Sequence, residues 1–291
     1  MSRDNASRLL RLSNLPLNTS HEHVGKRRDF DPTPIRVQHL DFRYPHRPEA
    51  VVLRDVSLTI PMNSCIAIVG HSGSGKSTLA SLLLKLYSSP MRQPGFHSIT
   101  LGGIGIRHLH TPTLRSLVTL VPQQPKLLAD SIGANISYGL DSSSPLNTLD
   151  NIRGAAQAAG IDDFISSLPD GYGTVVGDGG IGLSGGQAQR VAIARSLIRQ
   201  PRILILDEVT ANLDEASADT IRWTIRRLVA AEQGLAVIII THAKKMMEIA
   251  EKVIVMDHGS VVEEGPYPAL LQKPGGKLRH MLTAGDTIRS R

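Results

Sequence analysis

From Gly70 to Thr78 the chain reads Gly-His-Ser-Gly-Ser-Gly-Lys-Ser-Thr, a glycine and four residues followed by Gly-Lys-Ser. That spacing suits the holding of a polyphosphate. The glycines let the backbone turn tightly and bring successive N–H groups against phosphate oxygens, and a helix starting at the end of the loop adds its positive end. Gly70, His71, Ser72, Gly73, Ser74, Gly75, Lys76, Ser77 and Thr78 are therefore candidate nucleotide-binding residues. Lys76 supplies a point charge to the terminal phosphates. The Ser77 hydroxyl suits a Mg2+ shell that keeps several waters.

A second group lies downstream. Arg202 to Leu206 is an apolar run that ends in the adjacent carboxylates Asp207 and Glu208. Ligands of an open parallel sheet bind beyond the carboxyl ends of its strands, which is also where the glycine loop must lie. Asp207 is suited to hold Mg2+, directly or through water, and Glu208 to take a proton from a water aimed at a terminal phosphate. A third group, Leu183-Ser184-Gly185-Gly186-Gln187, opens a helix with a hydroxyl and two bare backbone amides, another anion-binding arrangement.

Strands and helices must position these groups. Ser64 to Val69 reads as a buried strand before the glycine loop and Ser77 to Leu86 as a helix after it. Ile35 to Phe42 and Ala50 to Ile60 read as an antiparallel sheet, His97 to Leu101 with Gly105-Ile106 as a hairpin, and Ser116 to Val121 as a core strand. Between Gln123 and Gly180 strand character disappears, and short helices are expected over Ser131 to Ser137, Asn151 to Ala159 and Ile161 to Leu168. From Gly185 to Glu264 helices alternate with strands at Arg202 to Leu206, Ala236 to Ile240, Lys252 to Met256 and Val261 to Glu264. The expected fold is α/β: a phosphate-loop core with a mainly parallel sheet, an N-terminal antiparallel β subdomain and an inserted helical subdomain at about 124–185.

Composition narrows the class. The 3% aromatic content implies an aliphatic core, and the lone cysteine, Cys65, can form no internal disulfide, which points to a reducing compartment. The longest apolar runs fall far short of the roughly 20 residues needed to cross a bilayer. A charge of +6 is spread out, apart from Lys26-Arg27-Arg28, so no nucleic-acid partner is expected. Residues 1–34, with a helix-like stretch at Ala6 to Leu15, read as a linker, 35–275 as the domain and 276–291 as a tail.

In this order and spacing the three groups make the chain resemble the nucleotide-binding domain of an ATP-binding cassette transporter. The likeness is to the multidrug and peptide exporter branch that includes fungal pheromone exporters, and it runs from Ile35 to about Leu271. It implies further roles: Tyr44 stacking on adenine, Gln123 touching Mg2+ and the attacking water, and His242 contacting the γ-phosphate and steadying Glu208. It also implies that Ser184, Gly185, Gly186 and Gln187 bind the nucleotide of an opposite subunit, and that the loop Ala211 to Asp214 crosses that interface. The implied partners are a second nucleotide-binding domain, joined through ATP, and transmembrane domains absent from this chain. The implied location is the cytoplasmic face of a membrane.

The sequence departs from that pattern at Val175, where a glutamate is usual, at Gly102-Gly103, which lacks an aspartate, and at Ala211, which replaces a serine. A soluble cassette acting on DNA or ribosomes is the rival class. A DNA-maintenance ATPase would carry a long coiled coil between the glycine loop and the family signature, matched here by Leu183 to Gln187, and a ribosomal one two cassettes.

Overall fold

A computed structural model describes residues 25–88, 96–177, 180–231 and 234–289; the stretch Ala6 to Leu15 and the turn Pro90 to Gly95 lie outside them. Strands β1 (Ile35–Phe42), β2 (Leu53–Ile60), β3 (Cys65–Val69), β4 (Ile99–Leu101) and β5 (Ile104–Gly105) come first, with helix α1 (Lys76–Leu83) directly after the glycine loop. Helix α2 (Thr111–Leu117) leads into β6 (Val118–Val121). The insertion holds β7 (Asp130–Ser131), α3 (Ile132–Ser137), α4 (Leu149–Ala158), α5 (Asp162–Ser167) and β8 (Val175–Val176). The chain closes with α6 (Gly185–Leu197), β9 (Ile203–Asp207), α7 (Glu215–Ala230), β10 (Ala236–Ile240), α8 (Lys244–Met247), β11 (Lys252–Asp257), β12 (Ser260–Gly265), α9 (Tyr267–Gln272) and α10 (Lys277–Arg289).

The central sheet runs β12-β11-β3-β10-β9-β6, parallel throughout except for antiparallel β12. Its strands are apolar on both faces because both are covered. Ile203 and Ile205 of β9 pack, with Ile238 and Ile240 of β10, against α1 and the antiparallel sheet β2-β1-β4-β5. Leu204, Leu206, Val237 and Ile239 point the other way, into α6, α7 and the helical insertion. The two-residue strand period thus divides one Ile/Leu/Val run between two cores.

Several boundaries differ from the sequence reading, each for a local reason. Ser116 and Leu117 end α2 instead of opening a strand, since Pro112 fits the first helical turn and buried Leu114 anchors the helix. The insertion is not strand-free: β7 and β8 pair Ser131 with Val175. Residues 25–34 run against the domain, with Arg27 N–H on the His108 carbonyl at 3.0 Å and Arg27 accepting from His110 N–H at 2.8 Å. Much of 276–291 is the helix α10, pinned by buried Leu278 against a core of β3 and β11 residues. The Gly102-Gly103 turn has φ of 56° and 80°, and a Cβ on Gly102 would lie 1.9 Å from the Asp31 carbonyl oxygen. An aspartate at Gly102 is thereby excluded.

Candidate nucleotide site

β3 delivers the chain to Gly70 at the carboxyl edge of the sheet, and the loop returns as α1. Gly75 caps α1 at φ 100°, and a Cβ there would come within 2.5 Å of the Leu53 side chain, so only glycine lets the loop close on the β subdomain. Lys76, 9% exposed, sits under the loop with Nζ donating to the Gly70 carbonyl at 2.8 Å and to the His71 carbonyl at 2.9 Å. Burial pulls its ammonium below the usual lysine range, and the charges of Glu208 and Asp207 pull it back.

β9 lies beyond β10 from β3, with Asp207 in register with Ile240. That places the Asp207 carboxylate 3.5 Å from the Ser77 hydroxyl, which donates to it. Among the described residues no three His, Cys, Asp or Glu converge as a metal site. One hydroxyl and one carboxylate fit a Mg2+ that takes the rest of its shell from phosphate oxygens and water.

Asp207 is held above the ordinary carboxylate range, first by burial and then by the charge of Glu208, against the pull of Lys76 and Ser77. A carboxyl whose folded pKa is raised costs stability once ionised. The cost is absent below its unfolded value, 3.8, and is complete above the folded one. Asp207→Asn is therefore expected to raise the melting temperature of the nucleotide-free chain at pH 7, with the gain shrinking toward pH 4. Thermal unfolding of both proteins across that range checks it.

Glu208 follows in the left-handed region at φ 50°, costly for a residue with a Cβ, and its N–H donates to the Ile240 carbonyl at 2.9 Å. The turn brings its carboxylate to His242, whose Nδ1 lies 3.0 and 2.9 Å from the two oxygens. A carboxylate only accepts, so Nδ1 carries the proton, and in the neutral ring Nε2 is left as an acceptor. Glu208 is shielded at 17% side-chain exposure; His242 is open at 53%.

A cleft of about 970 Å³ joins these parts, with the glycine loop, Lys76, Ser77, Asp207, Glu208, Gln123 and His242 around it. Ser184, Gly185, Gly186, Gln187 and Asp214 are absent from its lining. Ser184 and Gln187 cap α6 reciprocally, and Asp214 caps α7 by accepting from Ser217 N–H at 2.9 Å. Tyr44 stands beside the cleft, its ring packed edge-on against Phe42 and Tyr87 and its hydroxyl 2.9 Å from that of Thr78. Sequence reasoning missed the mouth, where Lys245 and Arg222 pair with Glu215 and where Met281 and Leu282 of α10 reach the lining. Leu278, Met281 and Leu282 at helical spacing were the available signal.

The sequence profile of the ABC transporter family matches residues 53–211, over half of the chain. The chain belongs to the ABC transporter family. Membership makes it an ATP-binding, ATP-hydrolysing domain of that family. It is 43% identical over 248 residues to the mouse mitochondrial ATP-binding cassette sub-family B member 10, covering 85% of this chain and 33% of that protein. To the ABC multidrug transporter MDR1 of Cryptococcus neoformans it is 40% identical over 242 residues, covering 83% and 17%. A bacterial Atm1-family ABC exporter solved with ATP bound superposes with a TM-score of 0.80 at 32% identity, over 97% of this chain and 46% of that one. The cassette thus spans a third or less of these two curated relatives. Among its described residues no helix is long and apolar enough to cross a membrane.

Proposed function

We propose that this cassette hydrolyses Mg2+-ATP at a site shared by two cassettes, and that the resulting motion powers export of a small molecule, lipid or peptide through transmembrane domains. One observation carries the shared site. Lys76, Ser77, Asp207, Glu208 and His242 converge on one cleft, while the anion-binding turn at Ser184 to Gln187 has no part in it. A second copy, placed head to tail, gives that turn a triphosphate to bind.

In this reading the glycine-loop amides and Lys76 bind the β- and γ-phosphates, Tyr44 packs beside the base, and Ser77, Asp207 and Gln123 hold the metal. Mg2+ held there would neutralise charge on the phosphates. Glu208 takes the proton of the attacking water as the β–γ bridge bond breaks, and ADP leaves with the bridging oxygen. His242 fixes the carboxylate through Nδ1–H and turns Nε2 toward the γ-phosphate. Ser184, Gly185, Gly186 and Gln187 close on the phosphate from the opposite subunit, with Asp214 at the crossing loop. The cassette sits on the cytoplasmic face of its membrane.

Relatives named as a multidrug transporter and an ABC exporter support export over action on DNA or ribosomes. So does the interval between α1 and α6, whose longest helix among the described residues is Leu149–Ala158. A shared site predicts ATPase activity that rises more steeply than linearly with chain concentration. Strict proportionality down to dilute chain would contradict it.

A further inference from the structure

Aromatic rings are scarce in this chain, which has five tyrosines, four phenylalanines and one tryptophan, yet three of them meet beside the nucleotide cleft. Phe42, 4% exposed at the end of β1, anchors the group. The ring centres of Tyr44 and Tyr87 lie 5.0 Å apart with their planes at 83°, and those of Phe42 and Tyr44 5.1 Å apart at 81°, both edge-to-face arrangements. Tyr87, 6.0 Å from Phe42, closes the triangle. The backbone that carries Tyr87 is fixed. After α1, Leu86 N–H donates to the Ser81 carbonyl at 2.9 Å and Lys85 N–H to the Leu82 carbonyl at 3.0 Å, with Lys85 at φ 53°, so the helix ends by reversing through one left-handed residue. Arg115 holds the same turn by donating to the Leu84 and Lys85 carbonyls, each at 3.2 Å.

We infer that Tyr87 is a positioning residue for Tyr44, and through it for the adenine base. The Tyr44 hydroxyl lies 2.9 Å from that of Thr78, but a ring held at its hydroxyl and flanked by Phe42 can still tilt. Tyr87, nearly perpendicular to it, removes that freedom. Exposed His46, 5.3 Å from the Tyr44 ring at 36°, is a neighbour that a base can displace without unpacking the core. Helix α1 then serves both ends of the nucleotide: Lys76, Ser77 and Thr78 in its first turn face the phosphates, and the turn that ends it presents Tyr87 to the base-stacking ring. Loss of the Tyr87 ring weakens the hold on the base and leaves the hold on the phosphates as it was. The inference rests on the reading of Tyr44 as the residue that packs beside the base.

The test is Tyr87→Leu, which removes the ring and keeps an apolar side chain, alone and combined with Tyr44→Leu. Calorimetry gives Kd for ATP and for inorganic tripolyphosphate, which has no base, and steady-state kinetics give KM and kcat. Loss of one edge-to-face pair predicts ATP bound about fivefold more weakly, with KM raised in step, and tripolyphosphate affinity and kcat within about twofold of the parent. Tyr87→Phe keeps the ring and is expected to behave as the parent chain. In the Tyr44→Leu background the second leucine is expected to cost nothing further, because both changes remove the same stacking surface. A merely structural role would weaken both ligands alike, or lower kcat through a smaller active fraction. Unchanged ATP affinity in Tyr87→Leu, an equal loss for tripolyphosphate, or multiplicative losses in the double variant overturns the inference while the reading of Tyr44 stands. If Tyr44→Leu itself leaves ATP affinity unchanged, that reading falls and takes the inference with it. Should Tyr87→Leu fail to fold, Tyr87→Met, apolar and without a ring, carries the same comparison.

Discussion

Glu208→Gln is expected to lower ATP turnover by about 100-fold or more while leaving nucleotide affinity within a few-fold of the parent chain. The magnitude is that of a lost general base. The carboxamide keeps the shape of the side chain and can still accept from His242 Nδ1–H, now 3.0 Å from one carboxylate oxygen. The strained turn at φ 50° is fixed by the Glu208 N–H bond to the Ile240 carbonyl and stays in place. What is lost is the capacity to take a proton. Single-turnover hydrolysis measured beside equilibrium ATP binding separates the two quantities, and a variant that turns over at the parent rate would remove Glu208 from the chemistry.

Lys76→Ala is expected to act one step earlier, on binding. The ammonium is buried beneath the loop and bonded to the Gly70 and His71 carbonyls, so its removal takes away both the charge that meets the phosphates and the strut that shapes the loop. A charge-assisted hydrogen bond contributes about 1.5–3 kcal/mol, which corresponds to roughly 10- to 100-fold weaker ATP binding by calorimetry. Unaltered affinity would mean that the phosphates lie elsewhere. The two variants thus divide the site: one retains nucleotide without turning it over, and the other fails to retain it.

The residues these variants change were legible in the sequence because each is written as a local pattern. The glycine loop is bounded by an apolar run and a helical one, the carboxylates sit at the last positions of an Ile/Leu run, and Ser184 with Gln187 makes a capping pair at its natural spacing. The α/β architecture was legible for the same reason, since runs with no polar alternation imply strands covered on both faces.

What escaped has no local pattern. Gln189 reaches a carbonyl 67 positions away in the chain and Arg195 one 69 positions away, and neither leaves a trace in periodicity. The pairing of β7 with β8 is two residues long, and Val175, 48% exposed, gives no burial signal. The docking of residues 25–34 depends on backbone bonds to the loop at His108 and His110, where composition had marked only a polar, basic leader. Helix α2 leaves a weak signal, since β-branched Thr111 and Thr113 lower its helix propensity and an apolar strand follows at once.

The shared site is tested most directly by the mass of the Glu208→Gln chain in solution. With Mg2+-ATP, light scattering is expected to report twice the 31.4 kDa of a single chain, falling back to one chain when Ser184 is also replaced by arginine. A Glu208→Gln chain that binds ATP and remains at 31.4 kDa across the accessible concentration range would contradict the account.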